Sequence, residues 1–315
     1  MAPSMIAGSN PSAPSSASSS ASAAAPLRVC VAGVTGWTGN AVARAIAASP
    51  DLVLVAGVAR KAAGQRLAAV VGEPQARATG TDVTVDGDLA TALARGGIDV
   101  LVDYTHPTTV AGHAEAALAA GVHVVIGTSG LDAAAYDHID RAARAAGRGV
   151  VASGNFAITA ALATRFSLIA ARYIPHVEVV EIAGPAKPDA PSGTARELAE
   201  RLGRVARPPM PAGTEPVAPD RVIGDAALRG GTIGGVQVHS LRLPGYAASI
   251  DAHFAVAGAR LVVSHDAGKD AAAYVDGTLL AVRRVPGVTG LVRGLDVLLF
   301  GPDEADGAAM AGAPA

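Results

Sequence analysis

From Leu27 onward, short apolar runs alternate with stretches that carry a helical pattern. LRVCVA (Leu27 to Ala32), DLVLVAGVA (Asp51 to Ala59), Val100 to Asp103, Val122 to Ile126 and Gly149 to Ala152 are rich in valine and mostly apolar throughout. Such runs predict strands buried on both faces. Helical patterns fill the intervals at Asn40 to Ala48, Val110 to Ala120 and Ala133 to Ala146. Strands that alternate with helices predict a parallel sheet covered on both sides. After Asn155 the order changes. A long helix, Ile158 to Tyr173, leads to a strand, Val177 to Ile182, and then to a proline-bearing loop around Lys187. TARELAERLG, from Thr194, predicts an amphipathic helix with Leu198 and Leu202 on one face and Gly203 as its stop. The Pro- and Gly-rich passage from Arg207 to Gly235 reads mostly as loop. Three strands follow, Val236 to Leu243, Ser249 to Val256 and Arg260 to His265, and predict a mixed or antiparallel second sheet. A helix from Asp270 to Arg284 and a short apolar segment from Leu291 to Leu299 close the pattern.

Composition narrows the picture. A chain of 315 residues that is 50% hydrophobic but only 3% aromatic supports an aliphatic core in one large or two modest domains. A net charge of −2 gives no argument for nucleic acid or an anionic membrane, and no apolar run is long enough to span a bilayer. The single cysteine, Cys30, lies in an apolar run and reads as a core residue, so no disulfide forms within the chain. Eight scattered histidines show no metal-ligand spacing. Residues 1–26 are almost wholly Ala, Ser, Pro and Gly without a charge, which predicts a disordered tail rather than a signal or transit peptide; residues 301–315 predict a second tail. Missing address signals make the cytoplasm the expected compartment.

Two segments carry candidate chemistry. The first is strand, then Gly33-Val34-Thr35-Gly36-Trp37-Thr38-Gly39, then helix. Glycines permit the tight turn and let backbone N–H groups approach a pyrophosphate at the helix N-terminus; a simple strand-to-helix turn is the alternative. The next strand ends in Gly57-Val-Ala-Arg60-Lys61, with two cations and no carboxylate. A carboxylate there would suit the ribose of NAD(H), whereas Arg60 and Lys61 suit the 2′-phosphate of NADPH, with NADH as the alternative. The second segment is Lys187-Pro-Asp-Ala-Pro-Ser192-Gly193-Thr194. Pro188 and Pro191 forbid a helix before Ser192, so Ser192, Gly193 and Thr194 occupy a helix N-terminus, where free N–H groups and hydroxyls favour an anion and Lys187 adds a charge. The alternative is a plain N-cap beside a solvated lysine.

Taken together, the motifs resemble the dihydrodipicolinate reductases (4-hydroxy-tetrahydrodipicolinate reductases) of lysine biosynthesis, over nearly all of Leu27 to Leu299. The resemblance rests on VAGVTGWTG (Val31 to Gly39), VDYTHP (Val102 to Pro107), VVIGTSGL (Val124 to Leu131), GNFAI (Gly154 to Ile158), KPDAPSGTA (Lys187 to Ala195), GVQVHSLRLPG (Gly235 to Gly245) and GTLLAVRRV (Gly277 to Val285). It implies an α/β fold: a Rossmann-like dinucleotide-binding domain, residues 27–154 and 268–300, and an inserted α+β substrate domain with a mixed sheet, residues 155–267. It implies a homotetramer joined through the substrate-domain sheet. It also implies that Gly127, Thr128, Asn155 and Phe156 join the Gly33–Gly39 loop around the cofactor, and that Lys187, Ser192, Gly193 and Thr194 hold a carboxylate of a cyclic imine. Asp103 and His106 match a second loop over the cofactor, with His106 read as a turn residue before Pro107. One departure stands out. Family members carry histidines in E-x-H-H-x-H-K, whereas this chain has Glu181-Ile-Ala183-Gly184-Pro-Ala186-Lys187. The family's general acid thus has no occupant, which leaves Lys187 or a water to supply a proton. The expected activity is NAD(P)H-dependent reduction of a cyclic imine carboxylate. The alternatives are a repurposed imine or enamine reductase and a catalytically silent NADP-binding protein.

Overall fold

The computed structural model describes residues 25–72 and 83–302. All but the inner two residues of each expected tail, 1–26 and 301–315, therefore lie outside the described residues. The chain opens with β1 (Leu27–Ala32), α1 (Trp37–Ala48) and β2 (Leu52–Val58), followed by a 3-10 turn (Arg60–Ala62) and two short helices, α2 (Leu67–Val71) and α3 (Leu89–Ala94). It continues through β3 (Val100–Asp103), α4 (Pro107–Ala119), β4 (His123–Ile126), α5 (Ala133–Ala146) and β5 (Gly149–Ala152). Next come α6 (Ile158–Ala171), β6 (His176–Ala183), α7 (Gly193–Arg204), β7 (Gly231–Ile233), β8 (Val236–Arg242), β9 (Ala248–Val256) and β10 (Ala259–Asp266). The chain ends in α8 (Val275–Arg284), β11 (Gly290–Arg293) and α9 (Leu295–Phe300).

The first sheet has the order β11-β5-β4-β3-β1-β2, and every pairing in it is parallel. Its strands are short and apolar because both faces are covered. Val29 and Val31 of β1 point into a core shared with α1 and α8, while Cys30 and Ala32 point into a core shared with α4 and α5. Cys30 is buried and unbridged, and desolvation pushes its thiol up to about 12. The second sheet has the order β10-β9-β6-β8-β7 and is mixed: β6 runs parallel to β8 and antiparallel to β9. Here the pattern does alternate. Val177, Val179 and Ala183 of β6 are buried, with Val177 and Val179 in a core with α6 and α7, whereas Val180 and Ile182 between them are only partly buried.

Several expectations on the elements are corrected. Gly203 does not stop α7, which runs on to Arg204. It is a packing position, where a Cβ would run into the Gly234 carbonyl of the β7–β8 turn. The passage read mostly as loop up to Gly235 also holds the short edge strand β7, and Leu291–Leu299 splits into β11 and α9. The span from Asp270 begins as a 3-10 turn, Ala271–Tyr274, before α8.

Candidate active site

β1 delivers the glycine loop to the N-terminus of α1. Gly33 has φ +83° and lies against the Tyr104 carbonyl, and Gly39 lies against the Gly33 carbonyl with no room for a Cβ. Gly36 caps α1 with extended backbone and no side-chain bond, and the first turn holds no acidic residue. Among the described residues the first-turn N–H groups therefore have no side-chain acceptor, which leaves a cradle for an anion. Asn40 braces the loop from behind, its Nδ2 donating to the carbonyls of Val34 (3.3 Å) and Val70 (3.0 Å). Val34 is buried, while Thr35 and Trp37 are exposed. Arg60 and Lys61 lie exposed in the turn after β2. Asp86 lies beside that turn, its carbonyl accepting from Ala59 N–H at 2.9 Å, but its carboxylate is held by the Arg95 guanidinium through two bonds of 2.5 Å.

The ends of β3 and β4 form the next wall. Asp103 is fully buried and accepts from Thr105 N–H (2.9 Å), Thr105 Oγ1 (2.6 Å) and Thr128 Oγ1 (3.1 Å), with His113 Nδ1 at 2.7 Å from its other oxygen. Thr128 thus turns its hydroxyl inward, and Gly127 and Ser129 line the opening instead. The Tyr104 ring fills the space where a Cβ on Gly127 would lie. The Tyr104 hydroxyl bonds Thr278 Oγ1 at 2.6 Å, and burial raises its pKa. His106 caps α4, its Nδ1 accepting from Thr108 N–H, directly before Pro107.

The third wall is the loop into α7. Ser192 is the N-cap, its Oγ accepting from Ala195 N–H at 3.3 Å. Lys187 Nζ pairs with Asp189 Oδ1 at 2.9 Å, and a cis peptide joins Ala190 to Pro191. Arg242 of β8 anchors the loop from below by pairing with the buried Glu181 carboxylate at 2.7 Å and donating to the Asp189 carbonyl. Gly193 packs so closely on Ser129 that a Cβ would fall 2.7 Å from the Ser129 Cβ.

These walls enclose a cleft of about 200 Å³. Trp37, Thr38, Gly127, Asn155, Phe156, Lys187, Ser192, Gly193 and Thr194 line it together, although they come from distant parts of the sequence. Gly33, Val34, Thr35, Gly36, Gly39, Arg60, Lys61 and Thr128 do not line it. Ala183, Gly184 and Ala186 also lie outside its lining, with Ala183 buried and Ala186 exposed. Sequence reasoning gave no role to Tyr104, Ser129, Ser153, Gly154, Ala248 and Tyr274, which complete the lining. Tyr274 stands edge-on to Trp37 at 5.8 Å between centroids, a contact that no spacing signal could have announced. Among the described residues, no group of three His, Cys, Asp or Glu could hold a metal ion, and no helix is long and apolar enough to cross a membrane.

Comparison with known proteins bears on the family and the fold. The sequence model described as "Dihydrodipicolinate reductase, N-terminus" matches residues 27–156, and that described as "Dihydrodipicolinate reductase, C-terminus" matches residues 157–298. The 4-hydroxy-tetrahydrodipicolinate reductase of Syntrophomonas wolfei is 36% identical over 276 residues, covering 86% of this chain and 98% of the relative. That of Beutenbergia cavernae is 37% identical over 278 residues, covering 87% and 98%. A dipicolinate-bound dihydrodipicolinate reductase from Paenisporosarcina sp. TG-14 superposes with a TM-score of 0.67 at 29% identity, over 86% of this chain and 98% of that one. An amine dehydrogenase from Mycobacterium smegmatis shares the fold, with a TM-score of 0.57 at 14% identity over 87% of this chain and 96% of that one. Both sequence models, which together span residues 27–298, and relatives 36% and 37% identical over most of the chain place this protein in the dihydrodipicolinate reductase family.

Proposed function

We propose that the protein is an NADPH-dependent reductase of 4-hydroxy-tetrahydrodipicolinate that acts in the lysine and diaminopimelate pathway. The observation that carries this reading is the shared cleft: the glycine-loop residues Trp37 and Thr38 face the same space as Lys187, Ser192, Gly193 and Thr194. The chain's own residues fit a dinucleotide. The uncapped N-terminus of α1 and the Gly33–Gly39 turn suit the pyrophosphate, and Gly127, Asn155 and Phe156, which line the cleft, would hold the nicotinamide end. Arg60 and Lys61 suit the 2′-phosphate, and the Asp86 carboxylate, engaged by Arg95, offers no competing acceptor for a ribose diol. NADH is the alternative cofactor. When bound, the reduced nicotinamide supplies the hydride.

Lys187 and the α7 N-terminus hold the substrate carboxylate. The Lys187 ammonium meets Asp189 at 2.9 Å, and a substrate carboxylate takes the place of that partner. The Thr194 hydroxyl donates to the Gly154 carbonyl at 3.2 Å, so the contribution of Thr194 to an anion is its backbone N–H. Lys187 is also the proton donor we assign, because it is the cation of the cleft lining. On this reading, residues 27–154 with 268–300 bind cofactor, and residues 155–267 bind substrate and assemble a homotetramer. The supporting features are the return of β11 to the first sheet and the open face of the second sheet, with half-exposed Leu241 and Val262 beside His176, Glu178, His239 and His253. The substrate is a small molecule, nucleic acid has no role, and the compartment is the cytoplasm.

Ala183, Gly184 and Ala186, at positions where the family resemblance leads one to expect histidine, favour a second reading: a reductase acting on a related imine or enamine. Purified protein mixed with NADPH and a panel of cyclic imine carboxylates separates the two. The first reading requires that 4-hydroxy-tetrahydrodipicolinate give the highest kcat/KM, and preference for another imine establishes the second. A chain that binds NADPH but turns over no imine is the catalytically silent alternative.

A further inference from the structure

α7 has two buried faces of different character. Ala195, Leu198, Ala199 and Leu202 pack into the core of the second sheet. Thr194, Glu197 and Arg201, at the i, i+3, i+7 spacing of a single helical stripe, instead reach toward the first sheet and its closing segment. Thr194 Oγ1 donates to the Gly154 carbonyl at 3.2 Å, and Glu197 Oε2 accepts from the Gly154 N–H at 2.8 Å. Both polar groups of one peptide residue, lying between β5 and α6, are thereby held by the first two turns of one helix. Arg201 continues the stripe with a two-pronged pair to Asp296 of α9, at 2.6 and 2.8 Å, both side chains buried. Gly154 approaches Gly193 so closely that a Cβ would fall 2.9 Å from the Gly193 carbonyl.

Gly154 belongs to the same wall as Asn155 and Phe156, and α7 begins at the carboxylate clamp. We propose that Glu197, together with Thr194, is a positioning residue: it locks the carboxylate clamp at the start of α7 in register with the Gly154–Phe156 wall of the cofactor site, so that occupation of one site favours occupation of the other. The inference rests on the functional reading above and adds to it the element that couples its two halves. A helix held to both sheets by directed polar bonds has one productive placement, whereas apolar packing alone lets it slide.

The test is a linkage measurement on the whole chain. Dipicolinate, an unreactive planar dicarboxylate, is titrated calorimetrically with and without saturating NADPH, whose own affinity is read from the fluorescence of Trp37, the single tryptophan. In the wild type, NADPH tightens dipicolinate binding by roughly tenfold, within the usual range for coupled sites. Glu197→Ala brings that ratio to about one while each ligand alone binds within about threefold of wild type. Glu197→Gln, which keeps an acceptor for the Gly154 N–H, retains the coupling. Glu197→Asp keeps the charge on a shorter side chain and loses the coupling, which serves if the alanine variant does not fold. Undiminished coupling in the Asp and Ala variants, or a wild type that binds both ligands independently, overturns the inference but leaves the functional reading standing. A wild type that binds no dipicolinate at all overturns the clamp, and the inference with it.

Discussion

Lys187→Met tests the clamp with little cost to the fold. Methionine keeps most of the length of the side chain and removes only the charge. The residue is partly exposed, with its side chain 31% accessible, and among the described residues its ion pair is to Asp189, itself 38% accessible. An exposed pair of this kind contributes about 0–1 kcal/mol, so stability should change by no more than that. A charge-assisted hydrogen bond to a carboxylate is worth about 1.5–3 kcal/mol, which corresponds to a loss of binding of roughly 10- to 150-fold. Steady-state NADPH oxidation reads the effect as a rise in KM, and calorimetry with dipicolinate reads it as a rise in Kd. With Lys187 as the proton donor, kcat falls as well, by about 10²–10⁴-fold. The reasoning is refuted if KM and the dipicolinate Kd both stay within about threefold of wild type in a variant that melts normally. In that case the backbone N–H groups at the start of α7 hold the anion alone.

Other consequences follow from the same structure. Arg60→Ala should weaken NADPH by about 10- to 150-fold, the worth of one charge-assisted phosphate contact, and leave NADH unchanged when both are titrated against Trp37 fluorescence; equal loss for both cofactors contradicts the 2′-phosphate assignment. Arg201→Met leaves the Asp296 carboxylate buried and unpaired and should cost about 3–5 kcal/mol in denaturant unfolding, whereas Arg201→Met with Asp296→Leu should restore much of that loss. Burial raises the Glu197 carboxyl above its ordinary 4.5, with the Gly154 N–H, Arg201 and Arg293 opposing the shift and Asp296 adding to it. A raised carboxyl contributes stability below pH 4.5 and loses it as the pH climbs through the folded value. Thermal melts of wild type relative to Glu197→Gln should therefore decline as pH rises across that window, and parallel curves would show that Glu197 titrates as it does unfolded.

Much of the first sheet was legible in the sequence because strands buried on both faces leave unbroken valine-rich runs, and glycine loops announce sharp turns. Val29 to Ala32 and Val100 to Asp103 are of this kind. β7 was not legible: Gly231–Ile233 is an exposed edge strand with neither alternation nor an apolar run. Gly203 misled because a glycine near the end of a helix usually stops it, whereas here it makes room for the β7–β8 turn. At the cleft, Lys187 and Ser192 to Thr194, which line it, were singled out through helix-terminus physics, which is local. Tyr274 and Gly154 were given no part in the cleft, because their roles there exist only once the turn before α8 has packed on α1 and α7 has met the segment after β5. The Thr194 hydroxyl was read as a free donor, and only the fold reveals that the Gly154 carbonyl already takes it.

The central claim is that this cleft reduces 4-hydroxy-tetrahydrodipicolinate with NADPH. Freshly generated 4-hydroxy-tetrahydrodipicolinate, mixed with purified protein and NADPH, tests it through the loss of reduced-nicotinamide absorbance. The account predicts saturable turnover that depends on Lys187, with kcat in the ordinary enzymic range of about 1–10³ s⁻¹. Tight NADPH binding without turnover of that substrate would contradict it.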